Sequence, residues 1–311
     1  MYTQNRNPLD EVKSFFKRKS ILSNLILINI AVFLAVNVIN LLLWLFQVQS
    51  FSEAKFGVSP IVYWLSVPSD IGALLTRPWS IITYMFLQEN FFHIFFNMFV
   101  LYFGGRIFME YLSEKKLLSV YIWGGIAGAV LYILSFNAFP VFQEYVPHSI
   151  ALGASASVLA ILVAISTYVP NYTVMLIFFG RVKLKYLAIG LVVLDILSIQ
   201  RGNPGGHIAH LGGALWGFAY IKLLQKGTDM GKWLPVFNFK KIISYFTKSS
   251  QKQYDTSSKP YERPMTDDEY NYHRKKKQVK IDAILEKISK SGYDSLSKEE
   301  KEILFKASNK K

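Results

Sequence analysis

Three short segments carry the side chains that can do chemistry. Gly153-Ala154-Ser155-Ala156-Ser157 sets a serine among small residues, and Gly205-Gly206-His207-Ile208-Ala209-His210-Leu211-Gly212-Gly213 carries two histidines. His93 and Asn97 stand four residues apart in an apolar run, a spacing that puts both on one face of a helix. A serine hydroxyl is a poor nucleophile until a base takes its proton. Histidine is the base suited to neutral pH, which gives Ser155 and His210 the roles of nucleophile and general base. The tetrahedral intermediate of acyl transfer carries an oxyanion that needs positioned donors. His93, the Asn97 amide and the Ser155 backbone N–H can supply them. The set is complete for acyl transfer without an acid third member, since serine nucleophiles also operate with other partner sets. His207 is open between ligand, base and structural residue. Taken singly, each has a plainer reading: a serine in an apolar helix usually serves packing, and a histidine or asparagine usually joins helices. The weight rests on the convergence of the segments.

Convergence requires elements that bring the segments to one depth. The chain has 311 residues, of which 51% are hydrophobic and 18% charged, and its mean hydropathy is +0.24. That is too apolar for an ordinary soluble domain of this size. Apolar runs at residues 21–46, 91–108, 117–139, 150–169, 184–199 and 205–224 predict six transmembrane helices, the runs being too long for barrel strands. The first can extend roughly 39 Å, beyond the ~30 Å hydrocarbon core, and reads as a retained span rather than a cleavable leader. Residues 47–78 mix Trp and Phe with charges and prolines and read as a partly buried interfacial loop. Lys and Arg concentrate in the connections that face inward if the N-terminus is inside, which predicts both termini in the cytoplasm of a bacterial-type plasma membrane. On that topology Ser155, His210, His93 and Asn97 all lie in the outer half of the bilayer.

The sequence therefore predicts an all-α polytopic membrane protein. Its expected parts are a cytoplasmic segment (1–20), a six-helix membrane domain (21–225), a linker (226–270) and a cytoplasmic helical hairpin (271–311). In the last, Ile281, Ile284, Leu285 and Ile288 have helical spacing, Gly292 can cap, and Ser297 with Glu300 forms a capping box. Gly205, Ala209, Gly213 and Gly217 form a small-residue stripe on the sixth span, and Ala156, Ala160 and Ala164 one on the fourth, so these helices can approach closely. Asp195 is the one aspartate in the spans and has no evident partner there. It stands open between a pore-facing contact and a structural hydrogen bond. The net charge is +14, and residues 222–311 carry 21 Lys/Arg against 12 Asp/Glu; such a basic tail suits an anionic membrane surface, with no nucleic-acid motif. No cysteine, HExxH sequence or paired span aspartates occur, so thiol, zincin-type and aspartyl mechanisms are excluded. No cofactor or metal is expected.

Arg77-Pro78-Trp79-Ser80 through Thr83-Tyr84-Met85-Phe86-Leu87, then His93-Ile94-Phe95-Phe96-Asn97-Met98, resembles the first loop and second helix of rhomboid proteases. Gly153-x-Ser155 resembles their nucleophile motif, and Gly205-x-x-x-Ala209-His210-x-x-Gly213 their sixth-helix motif. The resemblance covers residues 20–225. It implies a six-helix bundle with a membrane-embedded first loop and a water-filled cavity open to the outside. It also implies a Ser155–His210 dyad, an oxyanion site at His93 and Asn97, and cleavage of transmembrane protein substrates without metal or ATP. It favours His210 over His207 as base. Three positions depart from the usual pattern and are candidates to line the site. Gln88 stands where a histidine is common, Ala156 where glycine follows the nucleophile, and Leu159 where an aromatic packs on the catalytic histidine. A non-cleaving rhomboid-like binder of transmembrane helices is the first alternative; retention of both Ser155 and His210 argues against it. A small transporter is the second, and no repeat between the halves supports it.

Overall fold

The computed structural model describes residues 15–17, 20–48, 56–88, 90–176, 180–233, 276 and 281–308. Two compact units divide at residues 238 and 239. Residues 1–14 of the expected N-terminal segment, the linker beyond 233, and residues 271–275 and 277–280 of the expected hairpin lie outside the described residues.

The first unit is mostly helical. Its main helices are α1 (Ile21–Leu45), α2 (Phe91–Tyr111), α3 (Glu114–Ala138), α4 (Ser155–Tyr168), α5 (Leu184–Ser198) and α6 (Pro204–Gln225). Local signals set their ends. The Ser20, Asn90 and Asn203 side chains accept first-turn backbone N–H groups of α1, α2 and α6. Pro204 opens α6, where its missing N–H is no loss. Among the described residues α1, α2 and α3 are long and apolar enough to cross a membrane, and α4 is a shorter apolar helix. The chain is an integral membrane protein on that composition.

Helix α4 is the axis of the unit, buried at every residue from Ala156 through Ser166. Helices α2, α3, α5 and α6 pack around it, and α1 leans on α2 and α3. The outward faces stay apolar: Leu34, Val38 and Leu41 of α1, Phe95, Phe99 and Phe103 of α2, and Ile189, Val193 and Leu197 of α5 are exposed. Such faces suit hydrocarbon rather than water.

Two small antiparallel sheets interrupt the expected all-helical order. Strands β3 (Thr173–Leu176) and β4 (Gly180–Lys183) pair between α4 and α5. Strand β1 (Val67–Pro68) pairs with β2 (Ile150–Ala151), with Val67 opposite Ala151. The predicted fourth span at 150–169 thus begins as strand and becomes helix only at Ser155.

The loop between α1 and α2 holds short helices over Pro60–Leu65, Ile71–Thr76 and Ser80–Thr83. It is fastened by buried Arg77, whose Nη1 donates to the Tyr63 carbonyl and whose guanidinium lies 3.8 Å from the Tyr63 ring centroid. Asn137 Nδ2 donates to Ser69 O at 2.8 Å, tying the loop to the end of α3.

In the second unit a helix over 281–291 precedes α7 (Lys298–Ser308). Ile284 and Leu296 are buried, while Leu285 is half exposed. Gly292 takes φ +76° after the first helix. The Ser297 N–H donates to Glu300 Oε2 at 2.7 Å and the Glu300 N–H to Ser297 Oγ at 3.2 Å, a reciprocal cap. Lys287 pairs with Glu300 at 2.9 Å, joining the two helices.

Candidate active site

Ser155 is the first residue of α4, at the end of a turn that the first loop holds in place. Strand β2 is bonded to β1, and the Gly153 N–H donates to the Tyr84 carbonyl at 3.0 Å. Gly153 itself takes φ +135°, a conformation that glycine adopts freely and other residues do not. The turn delivers Ser155 onto the N-terminus of a helix, where first-turn N–H groups have no intrahelical acceptor.

His210 reaches Ser155 from α6. Its Nε2 lies 2.6 Å from Ser155 Oγ, and its Nδ1 lies 2.8 Å from Asp195 Oδ1. His207, one turn earlier on α6, also places Nδ1 2.8 Å from Asp195 Oδ1. The two imidazoles are 6.0 Å apart and nearly perpendicular. Both histidine side chains are about a quarter exposed, and the Asp195 side chain is 11% exposed.

This approach depends on missing side chains. A Cβ on Gly213 would overlap the Ala156 carbonyl, and one on Gly217 the Ala160 carbonyl. Helix α3 closes in the same way. A Cβ on Gly128 would come 2.7 Å from the Ala156 methyl, and one on Gly212 of α6 would come 2.5 Å from the Ala127 carbonyl. Helices α3, α4 and α6 therefore meet nearly backbone to backbone, the packing that small residues permit in membranes. Of the predicted stripe, Gly213 and Gly217 face α4, whereas Gly205 faces Tyr132 of α3. The glycines of α3 had no place in the predicted interface.

On the other side of Ser155, the ring of His93 borders the nucleophile across Gly153. A Cβ on Gly153 would sit 3.0 Å from His93 Cε1, 3.3 Å from its Nε2 and 3.2 Å from Ser155 Oγ. Asn97, one turn along α2, is buried and donates from Nδ2 to Gln88 Oε1 at 2.8 Å. Gln88 Nε2 donates to Asn29 Oδ1 at 2.9 Å, and Asn29 Nδ2 donates to the Tyr121 hydroxyl at 3.1 Å. The Tyr121 hydroxyl donates to the Met85 carbonyl at 2.9 Å. A buried polar chain so runs from α1 through the first loop to Asn97, satisfying groups that would otherwise be costly there.

The predicted site residues separate into two sets. Ser155, His210 and His93 come together, and Gln88 braces Asn97. Ala156 and Leu159 are instead buried in helix packing at 1% and 7% exposure, and the Ala156 methyl lies against Gly128 rather than narrowing a cleft. The expectation that Asp195 lacks a partner is corrected, since it holds two histidines. His210 is held by Asp195 rather than by the residue at 159. Asp195 was findable in principle: it sits near the C-terminal end of the fifth run, a short connection away from the start of the sixth with His207 and His210. Asn29 gave a weaker signal, since the same apolar run also carries Asn24, Asn37 and Asn40. Among the described residues, Asp195, His207 and His210 also have metal-ligand spacing, with ligand atoms within 4.8 Å of one another. Their 2.8 Å contacts are hydrogen-bond lengths, and His210 continues to Ser155 through its other nitrogen.

Comparison with known proteins bears on the same region. Residues 75–227 match the rhomboid domain family model, and residues 265–310 match a family of unknown function, DUF6576. RHOMBOID-like protein 12, mitochondrial, of Arabidopsis thaliana is 33% identical over 144 residues, covering 43% of each chain. Presenilin-associated rhomboid-like protein, mitochondrial, of Homo sapiens is 26% identical over 199 residues, covering 60% of this chain and 46% of its own. The Danio rerio presenilin-associated rhomboid-like protein A, mitochondrial, is 30% identical over 155 residues, covering 47% and 37%. The matches thus span less than half the length of these relatives. The matched domain contains Gln88, His93, Asn97, Ser155, Asp195, His207 and His210, and residues 75–227 of the chain belong to the rhomboid domain family.

Proposed function

We propose that this chain is an intramembrane serine endopeptidase that hydrolyses peptide bonds in or near transmembrane segments of other membrane proteins. The observation that carries this reading is the 2.6 Å contact between Ser155 Oγ and His210 Nε2 inside a helical membrane protein. In the first half-reaction, His210 Nε2 takes the hydroxyl proton as Oγ attacks the scissile carbonyl carbon. The carbonyl oxygen becomes an oxyanion beside His93, Asn97 and the N–H groups at the start of α4. The imidazolium then gives its proton to the leaving amine, the C–N bond breaks, and an acyl-Ser155 ester remains. In the second half, His210 takes a proton from water as its oxygen attacks the ester. Collapse returns that proton to Ser155 Oγ and releases the new carboxyl terminus. Neither half needs a metal or a nucleotide.

The arrangement in the bilayer belongs to the same proposal. Helices α4, α5 and α6 complete a six-span bundle with the three long apolar helices. The first loop lies in the membrane, both termini are on the side of the basic connections, and the site opens to the other side. In a bacterial-type plasma membrane the basic side is the cytoplasm; the relatives named above are mitochondrial. The basic tail then meets an anionic lipid surface.

The test is cleavage of a helical membrane substrate by the purified protein in detergent, alongside labelling by a fluorophosphonate. Ser155→Ala and His210→Ala should each abolish both. Cleavage by Ser155→Ala at the parental rate would overturn the mechanism. Absence of cutting and labelling in the parent would favour a non-cleaving binder. Tag accessibility placing the termini on opposite sides would break the six-span arrangement.

A further inference from the structure

We propose that Asp195 is a positioning residue for the base, and that His207 braces Asp195 in turn. The inference rests on the serine endopeptidase reading and assigns the orientation of His210 within it. A neutral imidazole carries one N–H, on one nitrogen or the other. Only the tautomer protonated at Nδ1 leaves a lone pair on Nε2 to accept the serine proton. Nδ1 of His210 faces Asp195 Oδ1 at 2.8 Å, so the carboxylate selects that tautomer and fixes the ring plane toward Ser155 Oγ.

Three further observations point the same way. Asp195 is 8% exposed, and a carboxylate at such a place in a membrane protein is costly without partners. On α5 it shares the buried face with Leu184 and Ala188 at helical spacing, while Val193, Leu194, Ile196 and Leu197 around it are exposed. The carboxylate is therefore turned inward by the one face α5 packs with. His207 Nδ1 approaches the same oxygen at 2.8 Å, nearly perpendicular to His210, so Oδ1 is held from two directions. Neither Asp195 nor His207 is placed to touch the reacting atoms. Their part is to keep Nε2 of His210 aimed, and to stabilise the imidazolium when it forms.

The experiment measures kcat and KM for a helical substrate, the second-order rate of fluorophosphonate labelling, and the thermal midpoint, in the full chain. Asp195→Asn keeps the shape but can turn an amide N–H toward His210 and favour the unproductive tautomer. It should lower kcat and labelling on the order of 10²–10⁴-fold with KM within about threefold, the signature of a lost orienting carboxylate. Asp195→Glu should recover part of that loss. His207→Gln retains a donor for Oδ1 and should stay within about tenfold of the parent. A purely structural role would lower the thermal midpoint of Asp195→Asn while leaving labelling of the folded fraction at the parental rate, and that outcome overturns the proposal. So does loss of parental activity on treatment with a strong chelator, which would mean that a metal ion rather than hydrogen bonds joins the three side chains. If Ser155→Ala still labels, the underlying mechanism fails instead, and the two failures are distinct.

Discussion

Replacing Gly153 by alanine tests the site at its narrowest point. The new methyl would sit 3.0 Å from His93 Cε1 and 3.2 Å from Ser155 Oγ, closer than nearly all real Cβ contacts. One of the two side chains must yield by a few tenths of an ångström, and both belong to the chemistry. The backbone adds to the problem, because φ +135° costs a residue with a Cβ about 1–3 kcal/mol. Losing one donor from an oxyanion site typically costs about 2.7–4 kcal/mol, or 10²–10³ in kcat. Gly153→Ala should therefore lower kcat by about 10²–10³-fold with KM within about threefold, since the effect falls on the transition state. The thermal midpoint in detergent should fall by an amount matching the backbone strain. Steady-state cleavage of a fluorogenic transmembrane peptide gives the first two numbers, and a thermal melt the third. A variant that melts earlier yet keeps kcat within about threefold would refute the reasoning, since the space between His93 and Ser155 would then have no part in the reaction.

Further outcomes follow from the packing and the polar chain. Gly217→Ala places a methyl on the Ala160 carbonyl, which as backbone cannot swing aside; unfolding in detergent should show a loss of about 1–3 kcal/mol. Gln88→Leu removes the partner of both Asn29 and Asn97, so kcat should fall about tenfold or more, together with stability, while Gln88→His should retain more of both. In the second unit, the Ser297 N–H and then Lys287 hold the Glu300 carboxyl below the usual glutamate range. A lowered folded value means that this contribution to the cap is present above the ordinary glutamate pKa of about 4.3 and lost as pH falls through the lower folded value. NMR of the Ser297 amide should show a midpoint below that of an unpaired glutamate, and Glu300→Gln should abolish the titration.

The sequence carried this site unevenly, for physical reasons. Ser155 and His210 were legible because lipid makes polar groups in apolar runs conspicuous and few. The close approach of α4 and α6 was legible for the same reason, since glycine at four-residue spacing has little other use in a helix. What was not legible is pairing across helices. Nothing in the spacing of Asp195 says that it meets His207 and His210; only the depth of the fifth and sixth runs could have hinted at it. The α3 face was overlooked although Gly124 and Gly128 stand four residues apart, the same signal as on the sixth run. Strand β2 was hidden inside an apolar run, since alternation cannot be read from two residues. The side-chain direction at Ala156 likewise depends on α3, which one local motif does not encode.

Asn29 has a consequence for how the protein is made. It lies in α1, which emerges during synthesis many residues before its partners Gln88 and Tyr121. Until then the amide must sit in the nascent membrane segment without them. The same Nδ2 that meets Tyr121 also donates to the Leu25 carbonyl, one turn back on its own helix, at 2.9 Å. That local bond travels with the helix and lowers the cost of inserting an amide ahead of its partners. When α2 and α3 arrive, Asn29 Oδ1 is the acceptor waiting for Gln88. Helix α1 is thus locked only after Gln88 and Tyr121 have followed it, by a residue that also braces Asn97.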